Sequence, residues 1–153
     1  MPTYYCLAPA GKLSDSQKQQ IANAITARHS EATGAPSWFV QVIIEEESPA
    51  RVRYIGGSPA GGHLWIHGDI RAGRTREQLQ PLMLNIMADV ADISAILRED
   101  IWIYLNNIEA DQMVEFGHVL PLPGEEQQWF GQLPAPLQEK LRQLGVEHQQ
   151  FML

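Results

Sequence analysis

An internal repeat is the feature that most restricts the fold of this chain. When the sequence is aligned with itself at an offset of 61 residues, no gap is needed between Tyr4 and Tyr104. At this offset Ser14 aligns with Thr75 and Gln17 with Gln78. A repeat of this length corresponds to one supersecondary unit per copy. We predict a strand, a helix and a strand in each copy, in units covering about residues 2–47 and 63–108.

Both predicted helices begin with the same capping pattern. Ser14 and Thr75 each place a hydroxyl at the helix cap, with Gln three residues later, as in a capping box. Apolar side chains then recur at helical spacing in both copies. Pro81 falls past the first turn of the second helix, where a proline removes a hydrogen bond, so a bend is expected there.

Four segments rich in β-forming residues complete the two units. They are residues 3–7, 39–45, 63–70 and 101–106. They predict an α/β (α+β) fold, with a four-stranded mixed sheet and both helices on one face. Residues 40–44 are too apolar for the face opposite the helices to stay exposed to solvent. An uncovered apolar face favours an oligomer.

The remaining segments belong to the same single domain, which we take as residues 1–153. Residues 48–62, rich in Gly and Pro, predict a loop with a short extra strand at 52–55. The C-terminal extension, about residues 110–153, is expected to form short helices at 113–119 and 137–144. A turn is expected at 121–124.

Composition excludes several classes of partner and location. The formal net charge of −7 disfavours general attraction to nucleic acid or to an anionic membrane. No apolar run approaches the roughly 20 residues of a membrane span, and the N-terminus lacks the pattern of a signal peptide. Cys6 is the only cysteine, so no intrachain disulfide forms and a reducing cytoplasm is expected. In a strand, Cys6 is best explained as a small apolar residue.

No cofactor or metal is expected. His63 and His67 are four residues apart on a predicted strand, too far for a compact ligand pair, and no Asp or Cys cluster completes them. The Gly-rich run at 56–62 lacks both the Lys and the strand-to-helix context of a phosphate loop.

The repeat and a set of polar residues together resemble the tautomerase superfamily, and within it the cis-3-chloroacrylic acid dehalogenase-like group. The similarity extends to about residue 131 and includes residues 120–124 and 129–130. It implies a cofactor-independent homotrimer that buries the bare sheet faces around a threefold axis, and removal of Met1. The residues that carry the resemblance are Pro2, His29, Arg71, Arg74, Tyr104 and Glu115.

Pro2 is the candidate reactive group. Its amine, once freed, would have an ordinary pKa of roughly 7.7–8.0, so its surroundings decide whether it acts as a base or an acid. The resemblance implies a base in the tautomerase branches and an acid in the dehalogenase group. Without this context, a second-position proline is only a stiff start to a strand.

The resemblance assigns roles to the other five residues. Arg71 and Arg74 precede the cap of the second helix, where two guanidinium groups suit a carboxylate, although such pairs are often only solvated. His29 falls on the inward face of the first helix, a position that is typical of core residues. The resemblance implies instead that His29 binds the substrate. Taken alone, Tyr104 would be a packing residue and Glu115 a surface carboxylate. The resemblance implies that the two residues position and activate a water molecule, with Glu115 as the base.

The sequence departs from the group at several positions. Phe116 and His118 replace residues that are commonly Tyr and Arg, and the loop at 33–38 also differs. These changes affect water positioning and substrate choice.

Three functions remain open from sequence. The leading hypothesis is addition of water to an unsaturated carboxylate, with Pro2 as the acid. The second is tautomerisation of 2-oxo or enol acids, with Pro2 as the base. The third is a non-catalytic trimeric signalling or scaffold protein, which the presence of Arg71, Arg74, Tyr104 and Glu115 together disfavours.

Overall fold

Each copy of the repeat forms one strand–helix–strand unit. The protein is described by a computed structural model over residues 2–144. The strands are β1 (Thr3–Ala8), β2 (Gln41–Glu46), β3 (Arg53–Ile55), β4 (Ser58–Ala60), β5 (Leu64–Arg71), β6 (Ile101–Ile108), β7 (Val114–Glu115) and β8 (His118–Val119). The helices are α1 (Asp15–Thr33), α2 (Arg76–Ser94), α3 (Glu126–Gln132) and α4 (Ala135–Leu144). The four main strands and α1 and α2 confirm the predicted units to within two residues.

The main sheet has the strand order β2-β1-β5-β6. β1 pairs with β2 and β5 with β6 in parallel, while β1 and β5 are antiparallel neighbours at the centre. The sheet is therefore mixed, as predicted. Because β1 and β5 run in opposite directions, the beginning of β1 and the end of β5 lie at the same edge, with Thr3 opposite Asp69.

The two long helices reproduce the repeat in detail. Both capping boxes form, at Ser14 and at Thr75. Each helix ends in a left-handed residue, Gly34 with φ 72° and Ala95 with φ 58°. α2 continues through Pro81 as one helix, and the expected bend stays a prediction. No helix within residues 2–144 has the length and apolar character that a membrane span needs.

The core lies between the sheet and these two helices. Tyr4 and Cys6 of β1 point into it and contact a cluster that includes Ile25 and Ile86. Burial raises the pKa of the Cys6 thiol to about 12, so Cys6 behaves as an apolar residue.

The opposite face of the sheet is not the bare apolar surface that the sequence predicted. Side chains alternate along a strand, so Val42 and Ile44 turn towards the helices, whereas Ile43 and Glu45 point to the open face. Aromatic and polar groups are mixed on that face, which also carries Tyr5, His67, Asp69, Trp102 and Tyr104.

The C-terminal extension corrects one prediction. Residues 113–119 form the β7–β8 hairpin rather than a helix. Phe116 and Gly117 connect the strands with φ of 52° and 80°, values that suit a tight two-residue turn and not a helix. The helix predicted at 137–144 is confirmed as part of α4, and the strand predicted at 52–55 as β3. The sequence analysis missed α3 and β4.

A second apolar cluster joins this extension to the first repeat. Trp38 and Phe39 precede β2 and pack with Leu120, Phe130 and Leu141 of the extension. This packing holds the β7–β8 hairpin close to the beginning of β1.

Candidate active site

Four of the predicted site residues meet at one sheet edge. Pro2 directly precedes β1, Arg71 ends β5, Arg74 follows it, and His29 lies near the end of α1. The antiparallel pairing of β1 and β5 brings the first three together, and α1 runs back to the same edge. The cavity measures about 10 Å³ and is lined by Pro2, His29, Ala35, Phe39, Arg71 and Arg74.

Arg71 is almost fully buried, with 5% of its surface exposed. Its Nη1 donates to the carbonyl oxygen of Pro121, and its Nη2 donates to the carboxylate of Glu126. Its Nε is buried and has no hydrogen-bond partner within residues 2–144. Two of the guanidinium nitrogens are thus committed to the protein, and Nε remains for a ligand.

Arg74 is held more loosely. Its side chain is 7% exposed, and its guanidinium lies 3.9 Å from a Glu126 oxygen. That separation is too long for a hydrogen bond. Burial, together with the charge of Arg71, lowers the pKa of Arg74, and Glu126 opposes this effect. Arg74 is therefore a buried cation whose donors suit an incoming anion.

His29 is neutral in this site. It is 3% exposed, and burial, with the charges of Arg74 and Arg71, lowers its pKa to about 3. Its Nδ1 lies 2.9 Å from the hydroxyl oxygen of Tyr4, whose own pKa is raised by burial. A neutral imidazole among two cations offers a hydrogen bond without further positive charge.

Glu115 lies beside this cavity. It ends β7, immediately before the turn at Phe116, and lines a depression of about 190 Å³ that also includes Thr3 and Phe39. Phe39 borders both hollows. Burial raises the pKa of the Glu115 carboxyl, while the charge of Arg71 opposes the rise. A half-buried carboxyl with a raised pKa suits proton transfer.

Tyr104 lies apart from these five residues within the chain. It points from β6 to the open face, is 51% exposed, and its ring centroid is 6.0 Å from that of Trp65. It borders a separate hollow with Arg53 and His63. The folded subunit thus gathers Pro2, His29, Arg71, Arg74 and Glu115, but not Tyr104.

Glu126 is a site residue that the sequence analysis missed. One carboxylate oxygen accepts from Arg71, and the other accepts from the backbone N–H of Gly124 at 2.8 Å. Fifty-five residues separate Glu126 from Arg71, and no local pattern links the two. The turn at residues 121–124, which contains Pro and Gly, is the only sequence pattern close to Glu126, and it does not indicate that Arg71 is the partner of Glu126.

The two departures from the family pattern have different surroundings. Phe116 lines the depression that contains Glu115, and its ring centroid is 6.4 Å from that of Trp38. The His118 ring packs edge-on against Trp129 at 6.3 Å. Across the described part of the chain, no group of three or more His, Cys, Asp or Glu side chains is placed to hold a metal ion.

Comparisons with known proteins identify relatives of this chain by sequence and by fold. The crystal structure of N1, a member of the cis-3-chloroacrylic acid dehalogenase family, is 37% identical, with a TM-score of 0.87, and the match covers 92% of this chain and 99% of N1.

More distant structures share the fold. A fused 4-OT wild-type symmetric trimer is 21% identical, with a TM-score of 0.71, covering 79% of this chain and 97% of that chain. MIF2 of Leishmania major is 16% identical, with a TM-score of 0.64, covering 76% and 95%. A search of curated proteins finds no match.

A family model described as "Putative oxalocrotonate tautomerase enzyme" matches residues 1–132. Since this match spans most of the chain and N1 is similar over nearly its whole length, the chain belongs to this tautomerase family.

Proposed function

We propose that this protein is a cofactor-independent enzyme that adds water to a conjugated unsaturated carboxylate, as in hydrolytic dehalogenation of a cis-3-haloacrylate. Arg71 and Arg74, with His29, bind the carboxylate. Glu115 and Tyr104 activate water, and Pro2 is the acid. The observation that carries the proposal is the cavity shared by Pro2, His29, Arg71 and Arg74, with Glu115 in the adjoining depression.

The reaction requires that Met1 be removed, because only then is Pro2 a secondary ammonium. Glu115 takes a proton from water as the water oxygen bonds to the carbon distal to the carboxylate. Electron density moves towards the carboxylate, where Arg71 and Arg74 stabilise it. Pro2 then protonates the carbon next to the carboxylate. If the attacked carbon carries a halogen, its new hydroxyl loses a proton, the carbonyl bond forms and halide leaves. An acetylenic acid instead yields an enol, which ketonises to an oxo acid.

Tyr104 can act in this reaction only if a second subunit supplies it. Its exposed position on the open face, beside the exposed Trp102, supports a role across a subunit boundary. The fused 4-OT relative is a symmetric trimer, which supports a trimeric assembly for this protein. We therefore propose a homotrimer, which sedimentation at micromolar concentration tests; a stable monomer would contradict it.

The second candidate is a tautomerase of 2-oxo or enol acids with Pro2 as the base. Two buried arginines beside Pro2 favour its neutral amine, and a neutral amine is the form that abstracts a proton. The description of the matching family model also supports this activity.

Glu115→Gln separates the two candidates. Gln keeps the shape of the side chain but cannot accept a proton, so hydration or dehalogenation should fall about 10²–10⁴-fold. Ketonisation of an enol acid, which needs no water, should be largely unchanged. Both rates are measured on one preparation whose intact mass shows the loss of Met1.

Other outcomes of this experiment reject the proposal. Equal loss of both activities would make Glu115 a structural residue or a partner of Pro2. Full retention of hydration would remove Glu115 as the base. Absence of any activity towards haloacrylates, acetylenic acids and enol acids in the unmodified protein would favour a non-catalytic trimer.

A further inference from the structure

A carboxylate of the protein already contacts the cations that are proposed to bind a carboxylate. Glu126 accepts a hydrogen bond from Nη2 of Arg71 and lies 3.9 Å from Nη2 of Arg74 through the same oxygen. Its side chain is 12% exposed, so water screens these charges only weakly. Glu126 is therefore part of the electrostatic environment of the cavity.

Glu126 remains ionised and firmly held. Although burial alone would raise its pKa, hydrogen bonds from its own backbone N–H, from Arg71 and from Gly124 lower the pKa of Glu126 overall. The segment that carries it is packed tightly against the arginine loop. Gly73 has φ of 101°, and a Cβ at this position would lie 2.9 Å from Pro123. Pro123, three residues before Glu126, therefore lies directly against the loop that carries Arg74.

The charges around the cavity then leave room for one anion. Arg71 and Arg74 contribute two positive charges and Glu126 one negative charge, while His29 is neutral. In the proposed mechanism the charges of the Pro2 ammonium and the Glu115 carboxylate cancel each other. One substrate carboxylate would balance the remaining charge. A second carboxylate on the same small molecule would be buried among these groups with no uncompensated cation to pair with, which is costly.

We propose that Glu126 is a specificity-determining residue that restricts the cavity to monocarboxylates and disfavours dicarboxylates. The inference rests on the proposed function, because it takes Arg71 and Arg74 as the carboxylate site. Glu126 acts through the arginines and not on the reacting atoms, so it is a positioning residue whose charge selects the substrate class.

The test compares acids that differ only by a second carboxylate. Acrylate, maleate and fumarate are titrated by calorimetry into the full-length protein and its Glu126→Gln variant. Gln can still accept from Arg71, so the variant removes charge with little change in shape. A like charge close to a bound carboxylate weakens its binding, so in the variant the binding of a dicarboxylate relative to acrylate should strengthen about tenfold or more.

Two control variants separate charge selection from a structural effect. Glu126→Asp keeps the charge and should retain the preference for acrylate. Glu125→Gln changes the net charge equally at the neighbouring exposed position and should leave the preference unchanged. Circular dichroism checks that all variants are folded.

An unchanged preference in folded Glu126→Gln, with normal acrylate binding, would overturn this inference alone. An equal change in Glu125→Gln would also overturn it, because the effect would then reflect overall charge. If the unmodified protein binds none of the three acids, the carboxylate site itself fails, and the proposed function is rejected together with the inference.

Discussion

The hydroxyl oxygen of Tyr4 lies 2.9 Å from Nδ1 of His29 in the buried layer beneath the cavity. Within the described residues the Tyr4 hydroxyl has no other hydrogen-bond partner, so its proton points to Nδ1. A neutral His29 must then carry its proton on Nε2, the nitrogen available to a ligand. Tyr4 therefore makes His29 a hydrogen-bond donor in the site.

Tyr4→Phe should weaken substrate binding without unfolding the protein. The variant lets His29 adopt either tautomer, so KM should rise several-fold while kcat changes less. The lost hydrogen bond should lower the free energy of unfolding by about 1 kcal/mol. Steady-state kinetics and urea denaturation measure the two effects. Tyr5→Phe is the matched control on the opposite face, and an equal rise in KM there would contradict the role of Tyr4.

Acid should destabilise the fold through His29. Its folded pKa of about 3 is below its ordinary value of 6.5, so the folded state binds fewer protons than the unfolded state between these values. The stabilising contribution of the neutral imidazole is complete above pH 6.5 and is lost as pH falls towards 3. The slope should reach at most about 1.4 kcal/mol per pH unit for one proton.

Urea denaturation across this range, for the unmodified protein and for His29→Gln, measures that slope. Gln cannot take up the proton, so the variant should show the shallower dependence. Parallel curves for the two proteins would contradict a neutral buried His29.

The two arginines should differ in their importance for stability. Arg71→Ala leaves the Glu126 carboxylate without its closest partner and the Pro121 carbonyl unpaired, so unfolding should become easier by about 3 kcal/mol. Arg74→Ala removes a buried cation whose ion pair with Glu126, at 3.9 Å, is too long for a hydrogen bond, and should change stability little. Both variants should weaken acrylate binding. Equal destabilisation, measured by chemical denaturation, would contradict this division of roles.

The second repeat contains a correctable strain at its helix end. Ala95 adopts φ of 58°, whereas the equivalent residue in the first repeat, Gly34, adopts φ of 72° without strain. Ala95→Gly should raise the free energy of unfolding by about 0.5–1 kcal/mol, and Gly34→Ala should lower it by a similar amount. Thermal and urea denaturation measure both changes. Destabilisation by Ala95→Gly would show that the Ala95 methyl group makes a contact that outweighs the strain.

Much of the fold was predictable because its determinants are local or repeated. The capping boxes at Ser14 and Thr75, the apolar spacing of both helices and the offset of 61 residues predicted two equivalent units. Six site residues were predicted through the resemblance, and the fold of one subunit brings five of them together but leaves Tyr104 apart. For residues 113–119 the local pattern was ambiguous, and the left-handed turn at Phe116 and Gly117 produced a hairpin instead of a helix.

The sequence by itself determined the repeat, the strand order within each unit and the candidate residues, because short-range patterns and spacing encode them. Only the tertiary structure decided that Glu126 contacts Arg71, that Tyr4 orients His29 and that Tyr104 lies away from the cavity. These relationships join residues far apart in the chain, and their geometry depends on how the sheet edge, the helices and the C-terminal extension pack together. No local sequence pattern encodes these contacts, because the same residues at the same spacing are compatible with other tertiary arrangements.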